Sequence, residues 1–338
     1  MDKEGLFTTV VGSWPLTNKS ENMVKVFSDL VSLVDYPCYP QCINMVDQFL
    51  SPLAKSVDQL VEENGKFYLS DDFNIPKNPI ALEYGEFINK FFDERRSLLE
   101  KIKGTKACLT GPLTLASEII LKGEIAQGVK PKVFSEPRAI MVDWIVEKVA
   151  EVMKQVGKAY NDMGIDIISM DEPLLGVLVG RKPLFHPEDF MVEILDKSIS
   201  EIKNLSSIHV CGRISPKLRD ILLQTNVKIL DHEFTTNEKN FEIFQKEHFE
   251  GTDKFLALGT VKTLFAPKNG NNIYDYVEKI DYLETYLKKA IKQYGKENLI
   301  IKPDCGFLPL KDSFGEKDGY EISIGKVKNM VKALNRIK

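Results

Sequence analysis

This 338-residue chain is short of several things, and each shortage removes a class of protein. It has no run of about 18 apolar residues, so no membrane-spanning helix is expected. Its opening, Met1-Asp2-Lys3-Glu4-Gly5, lacks the charged-then-apolar layout of a secretory leader, so a cytoplasmic location is expected. The five cysteines (Cys38, Cys42, Cys108, Cys211 and Cys305) are odd in number and widely spaced, unlike a disulfide framework. Lys and Arg are scattered, and the formal net charge is -4, which argues against nucleic acid as a partner. There is no Ser/Gly linker and no repeat beyond an alternation of strands and helices. One domain spanning 1–338 is therefore expected.

Against those absences, 43% hydrophobic and 28% charged residues are ordinary for a globular enzyme with a sizeable core. Apolar, β-branched runs at 6–13, 66–70, 107–110, 165–170, 206–212, 227–233, 254–261 and 299–304 read as strands. Helical spacing occupies 21–33, 44–63, 80–103, 136–163, 187–203, 216–223, 237–248, 273–294 and 319–337. The clearest helix is 136–163, with Ser135 as its expected N-cap and Gly164 as its stop. Strands apolar on both faces and separated by helices imply parallel pairing. Eight such units in a chain of this size favour an α/β fold of the closed (β/α)8 TIM-barrel type over an open doubly wound sheet.

The polar residues point the same way. Ser13, Gly111, Asp171, His209, Cys211, Glu233, Thr260 and Cys305 all fall at carboxyl ends of expected strands, which converge on one rim of a parallel barrel. His209-Val210-Cys211 is the sharpest case. Residues i and i+2 of a strand share a face, so imidazole and thiol are aimed at one point. Glu233 and Cys305, each ending a later strand, would complete an N/S/O/S set suited to zinc. On the residues alone, such a metal cluster and a set of buried core residues remain alternatives. Cys108 reads as a core residue. Cys38 and Cys42 flank one turn-rich segment and read as loop and core residues, with a redox or second metal pair as the alternative. His186, His232 and His248 show no partner pattern, and His232 should face away from Glu233.

The motif set resembles the C-terminal catalytic domain of the cobalamin-independent methionine synthase family. The matching elements are Thr8-Thr9-Val10-Val11-Gly12-Ser13-Trp14-Pro15, Gly111-Pro112-Leu113-Thr114, Asp171-Glu172-Pro173, His209-Val210-Cys211 and Pro303-Asp304-Cys305-Gly306. They run in order through the whole chain. The resemblance implies a barrel enzyme that transfers a methyl group to the thiol of L-homocysteine to form L-methionine. It implies one Zn2+ held by His209, Cys211, Glu233 and Cys305, with the metal lowering the pKa of the substrate thiol. It also implies that Ser13 and the backbone near Val11 hold the amino acid's carboxylate and that Asp171 holds its ammonium group.

Three departures from the family pattern sharpen the expectation. Full-length members have a second, N-terminal barrel, and this chain is expected to hold only the catalytic one. The family's histidine after the strand matching 254–261 has no counterpart in Val261-Lys262-Thr263-Leu264-Phe265. That histidine would protonate a folate leaving group. A glutamate contacting homocysteine is replaced, and Gln41 is the closest substitute. The chain therefore resembles the short single-barrel forms, and the implied donor is a methylated corrinoid, free or on a carrier protein, with methyltetrahydrofolate as the alternative. Methyl transfer to coenzyme M is disfavoured because that acceptor has no amino group for Asp171 to hold. A lyase resembling uroporphyrinogen decarboxylase would need no metal ligands. A closed structural zinc site need not sit on the functional rim.

Overall fold

A computed structural model describes residues 5–338. Ten strands are present among them: β1 (Phe7–Thr8), β2 (Leu60–Glu63), β3 (Lys66–Leu69), β4 (Lys106–Thr110), β5 (Ile119–Leu121), β6 (Ile167–Asp171), β7 (Leu205–Val210), β8 (Ile229–His232), β9 (Phe255–Gly259) and β10 (Leu299–Lys302). Seven of them form one parallel sheet in the order β1-β10-β9-β8-β7-β6-β4. The two edges of that sheet meet across residues 36–38, through the parallel bridges Thr9–Tyr36 and Cys38–Lys106. The ring is the expected (β/α)8 barrel.

The second barrel position differs from the expectation. Residues 66–70 do not enter the barrel. They form β3, which pairs antiparallel with β2 and parallel with β5 in a small separate sheet. The turn between β2 and β3 is Asn64-Gly65, both at positive φ (50° and 71°), the pair that a two-residue hairpin requires. Residues 44–63 were expected to be one helix, but the helix is only Asp47–Ser56, and Leu60 and Val61 belong to the hairpin. The barrel position goes instead to the segment around Pro37 and Pro40. Proline has no N–H to give a ladder, so this stretch makes isolated bonds such as Lys106 N–H to Pro37 C=O (2.9 Å) and Gln41 N–H to Gly12 C=O (2.7 Å).

The helix expected over 136–163 spans Asp143–Asp162, so Ser135 caps nothing; a short 3-10 turn at Ala139–Met141 precedes it. Gly164 ends it at φ 84°. The stretch expected as one helix at 80–103 splits into Glu83–Asp93 and a 3-10 turn at Arg96–Lys101. The stretch at 237–248 holds two short 3-10 turns, and 273–294 resolves into a turn followed by Ile280–Tyr294. The last helix begins earlier than expected, at Pro309, and is interrupted at Gly315.

Inside the barrel the layers are chemically distinct. Phe7, Tyr36, Ile167, Ile229, Phe255 and Ile300 form an apolar plug at the amino-terminal end. One pleat further along, Asp231 follows Ile229 and Lys302 follows Ile300, so charged groups occupy the next layer. Two buried carboxylates tie loops to this frame. Glu172 accepts from Leu113 N (2.8 Å), Thr114 N (2.9 Å) and Thr114 Oγ1 (2.6 Å), capping the helix Pro112–Glu118. Asp304 accepts from Phe234 N (2.9 Å), Thr235 N (3.0 Å) and Thr235 Oγ1 (2.7 Å), fixing the turn after Glu233. Gly111 and Gly259 are small because a Cβ at either would run into Glu172 or Asp304. Gly111→Ala should therefore cost about 1–3 kcal/mol through overpacking, read as a lowered denaturation midpoint in urea; an unchanged midpoint would remove this account of the motif.

Candidate metal centre

His209 is the last residue but one of β7, and the turn after the strand carries Cys211; their same-face spacing survives folding, with His209 Nε2 3.1 Å from Cys211 Sγ. Cys305, just past β10, closes the group, its Sγ 3.3 Å from Cys211 Sγ. All three donor atoms lie within 4.8 Å of one another. A tetrahedron with Zn–S near 2.3 Å and Zn–N near 2.0 Å has N–S and S–S edges of about 3.5 and 3.8 Å, so the three donors need to open by only a few tenths of an ångström to hold such an ion, and the soft donor set suits it. Glu233 stands beside this group and is not one of its three members. Its Oε2 accepts from Asn237 Nδ2 (2.6 Å), and burial together with the charges of Cys305 and Asp304 pushes its pKa up.

The ring nitrogen of His209 that faces away from the sulfurs, Nδ1, lies 2.6 Å from Asp231 Oδ1. Asp231 also meets Lys302 Nζ at 2.5 Å and Lys106 Nζ at 3.4 Å, and all three side chains are 1% exposed or less. Burial alone would raise the Asp231 pKa, but Lys302, His209 and Lys106 outweigh it and hold the carboxylate well below its usual range. Its ionised oxygen can only accept, so His209 donates from Nδ1 and turns Nε2 to the sulfurs.

Burial opposes a charge on His209, yet Asp231 prevails and raises its pKa to about 10. The hydrogen bond from Cys211 holds Cys305 far below the usual thiol range, with His209 and Lys302 adding to the effect. Cys211 moves the opposite way, raised first by the proton it shares with Cys305 and then by burial.

The other expected site residues lie around the same opening. Asp171, at the end of β6, is 5% exposed; burial pushes its pKa up to about 6 against the pull of His209 and Lys106. Ser13 pairs with Gln41 across a parallel bridge, and its Oγ packs where a Cβ on Gly306 would sit, next to Cys305. Gln41 is buried, with Nε2 donating to Gln48 Oε1 (2.6 Å). Val11, also buried, precedes this turn.

Cys38 and Cys42 do not pair; Cys38 faces Cys108 instead, at 3.6 Å inside the barrel. His232 faces outward from the barrel interior, stacked on Phe244 with ring centroids 5.4 Å apart. A cleft of about 740 Å3 lined by Asp196, Asn204, Ser206 and Lys228 lies by the strand starts, at the opposite end from the cluster.

Asp231, Lys106 and Lys302 were missed from the sequence. Their signal was present: Lys106 opens β4, Lys302 closes β10 and Asp231 lies within β8, each a charged residue beside buried apolar ones, and Asp231 is two residues before Glu233.

The sequence profile of a family described as "Cobalamin-independent synthase, Catalytic domain" matches residues 97–335. A methionine synthase of Methanothermobacter thermautotrophicus is 30% identical over 237 residues, or 69% of this chain and 64% of that protein, just under two thirds of its length. The methionine synthase of Methanothermobacter marburgensis is 27% identical over 345 residues, 97% of this chain and 99% of the relative. Among solved structures, a B12-independent methionine synthase from Shewanella, in complex with selenomethionine, matches with a TM-score of 0.66 at 16% identity. The match covers 98% of this chain and 97% of that one, a likeness of fold.

Two outcomes are expected of this centre. Asp231→Asn leaves Lys302 and Lys106 buried without their counter-charge, so chemical denaturation should show a loss of about 3–5 kcal/mol. Metal uptake must displace protons from His209 and Cys211, whose pKa values are both raised, so affinity for Zn2+ should climb with pH towards about 10 and weaken as pH falls. Chelator competition across neutral and alkaline pH measures this, and a flat profile would contradict the proton assignment.

Proposed function

This chain belongs to the cobalamin-independent synthase catalytic-domain family, and from that premise we propose that it is a zinc-dependent methyltransferase that methylates the thiol of L-homocysteine to give L-methionine. The observation that carries the reading is the His209–Cys211–Cys305 cluster on the carboxyl-terminal rim of the barrel, with Glu233 beside it. Residues 1–338 act as one catalytic barrel in this reading. Among the described residues no helix is long and apolar enough to cross a membrane, in keeping with action in the cytoplasm.

His209, Cys211 and Cys305 are the firm ligands and Glu233 the displaceable one. A zinc ion bound by these residues would supply the charge that lowers the pKa of the substrate thiol and favours its thiolate form. The chain's own groups do the rest. Asp231 orients His209. Lys302 and Lys106 place positive charge beneath a centre whose donors are anionic. Asp171 and Gln41 receive the substrate's ammonium group, Asp171 by charge and Gln41 by hydrogen bond. Ser13 and the backbone near Val11 receive its carboxylate. These contacts fix the thiol in line with an incoming methyl group.

For the donor we favour a methylated corrinoid, delivered free or by a corrinoid carrier protein. A folate amine leaves readily only when protonated, and no histidine outside the cluster is placed to do this. His186 is buried with Nε2 2.6 Å from Ile140 O, His232 is stacked on Phe244, and His248 bonds Gln245 N at 2.9 Å. The family's description as cobalamin-independent supports the second reading, in which a methyltetrahydrofolate is the donor.

Methionine formation from homocysteine, measured with methylcobalamin and separately with methyltetrahydrofolate, decides between the two. Turnover is expected with the corrinoid, and turnover with the folate alone would overturn the donor assignment. Cys305→Ser should lose zinc and activity together, by metal analysis and product assay, whereas an active, zinc-free variant would refute the ligand set.

A further inference from the structure

The side chain of Gln41 is held by a hydrogen-bond chain whose direction is set from its far end. Tyr39 Oη lies 2.8 Å from the carbonyl oxygen of Cys108, which can only accept, so the phenol donates. The phenol oxygen then accepts from Gln48 Nε2 at 2.8 Å. With its nitrogen so used, Gln48 presents Oε1 to Gln41, and Gln41 donates from Nε2 at 2.6 Å. Each link leaves the next amide one orientation. A flip of either glutamine would set nitrogen against nitrogen or oxygen against oxygen.

The chain ends on Gln41 Oε1, to which no described residue donates; the residue is 2% exposed, and this oxygen is not among the fully enclosed side-chain atoms that lack a partner, so it keeps some contact with solvent. An amide oxygen so placed keeps its lone pairs free for a donor from outside the chain. The space in front of it is kept open by Gly12, where an added Cβ would stand 3.3 Å from Gln41 Oε1 and 3.3 Å from Cys108 Sγ. Ser13, the next residue, pairs with Gln41 and packs against Gly306 beside Cys305, so Gln41 belongs to the same end of the barrel as the sulfur cluster.

We infer that Tyr39 and Gln48 are positioning residues that fix Gln41 as a hydrogen-bond acceptor for the α-ammonium group of the thiol substrate, and so set the enzyme's preference for amino-bearing thiols. The inference rests on the reading of homocysteine as the methyl acceptor. An acceptor of fixed polarity also explains how a neutral glutamine serves beside Asp171. A carboxylate at position 41 would force Gln48 to reverse, Tyr39 to donate to Gln48, and the Cys108 carbonyl to lose its donor.

The test compares homocysteine with 4-mercaptobutanoate, which keeps the thiol and carboxylate but has no amino group, in the zinc-loaded enzyme. Wild-type turnover of homocysteine is the control for the functional reading; if it is absent, that reading fails, and direct binding of the two thiols by calorimetry tests the relay instead. Tyr39→Phe and Gln48→Met should raise KM for homocysteine about tenfold with kcat little changed, and should shrink the preference over 4-mercaptobutanoate, in KM or in affinity, by the same factor. Gln48→Glu keeps an acceptor facing Gln41 Nε2 and should retain the preference. Gln48→Met, close in volume, carries the test if Tyr39→Phe does not fold. Equal losses with both thiols in the first two variants, or loss of preference in Gln48→Glu, would overturn the inference.

Discussion

The structure depends on one buried carboxylate. Asp231 holds two lysines and a histidine in the centre of the barrel, with Lys302 at 2.5 Å, His209 at 2.6 Å and Lys106 at 3.4 Å. Leaving any of these charges alone in such a place would be expensive, and burying them together is tolerable only because each is paired. The apolar plug below explains the need for pairing, since water cannot reach these groups from the amino-terminal end. The direction of the His209 ring follows from that constraint, and with it the sulfur-facing nitrogen.

A second kind of constraint operates at the loops. Glu172 and Asp304 each spend both carboxylate oxygens on backbone and hydroxyl donors of a neighbouring strand's loop. Loops at a barrel rim are the mobile part of such folds, and here two of them are stitched to the strands that carry Asp171 and Cys305. The glycines opposite these carboxylates are the space they occupy. The rim is thus built from rigid pieces, which the proposed alignment of a thiol with a methyl group would need.

Much of this was legible in the chain because local periodicity and strand-end chemistry survive folding. The same-face geometry of His209 and Cys211 is a property of any strand, and it appears unchanged as a 3.1 Å approach. The outward turn of His232 follows from the same alternation. The second barrel position was not legible, because prolines at 37 and 40 erase the ladder signal there while Lys66–Leu69 looks like a better strand. Its Asn64-Gly65 turn was the cue that this strand folds back on its neighbour. The Cys38–Cys108 approach was invisible for a similar reason, since it joins β4 to the proline-bearing segment that only barrel closure brings beside it.

The sequence by itself determined the alternation of strands and helices, the parallel barrel, and the residues that gather on its rim, because spacing and side-chain type carry that information without distant contacts. Only the tertiary structure decided what lies beneath and beside them. Lys106, Asp231 and Lys302 come from three strands far apart in the chain, and the polarity of Gln41 is set through Gln48 and Tyr39 by a carbonyl on another strand. Charge pairing and hydrogen-bond direction are relations between distant residues, so they come into being only when the ring closes.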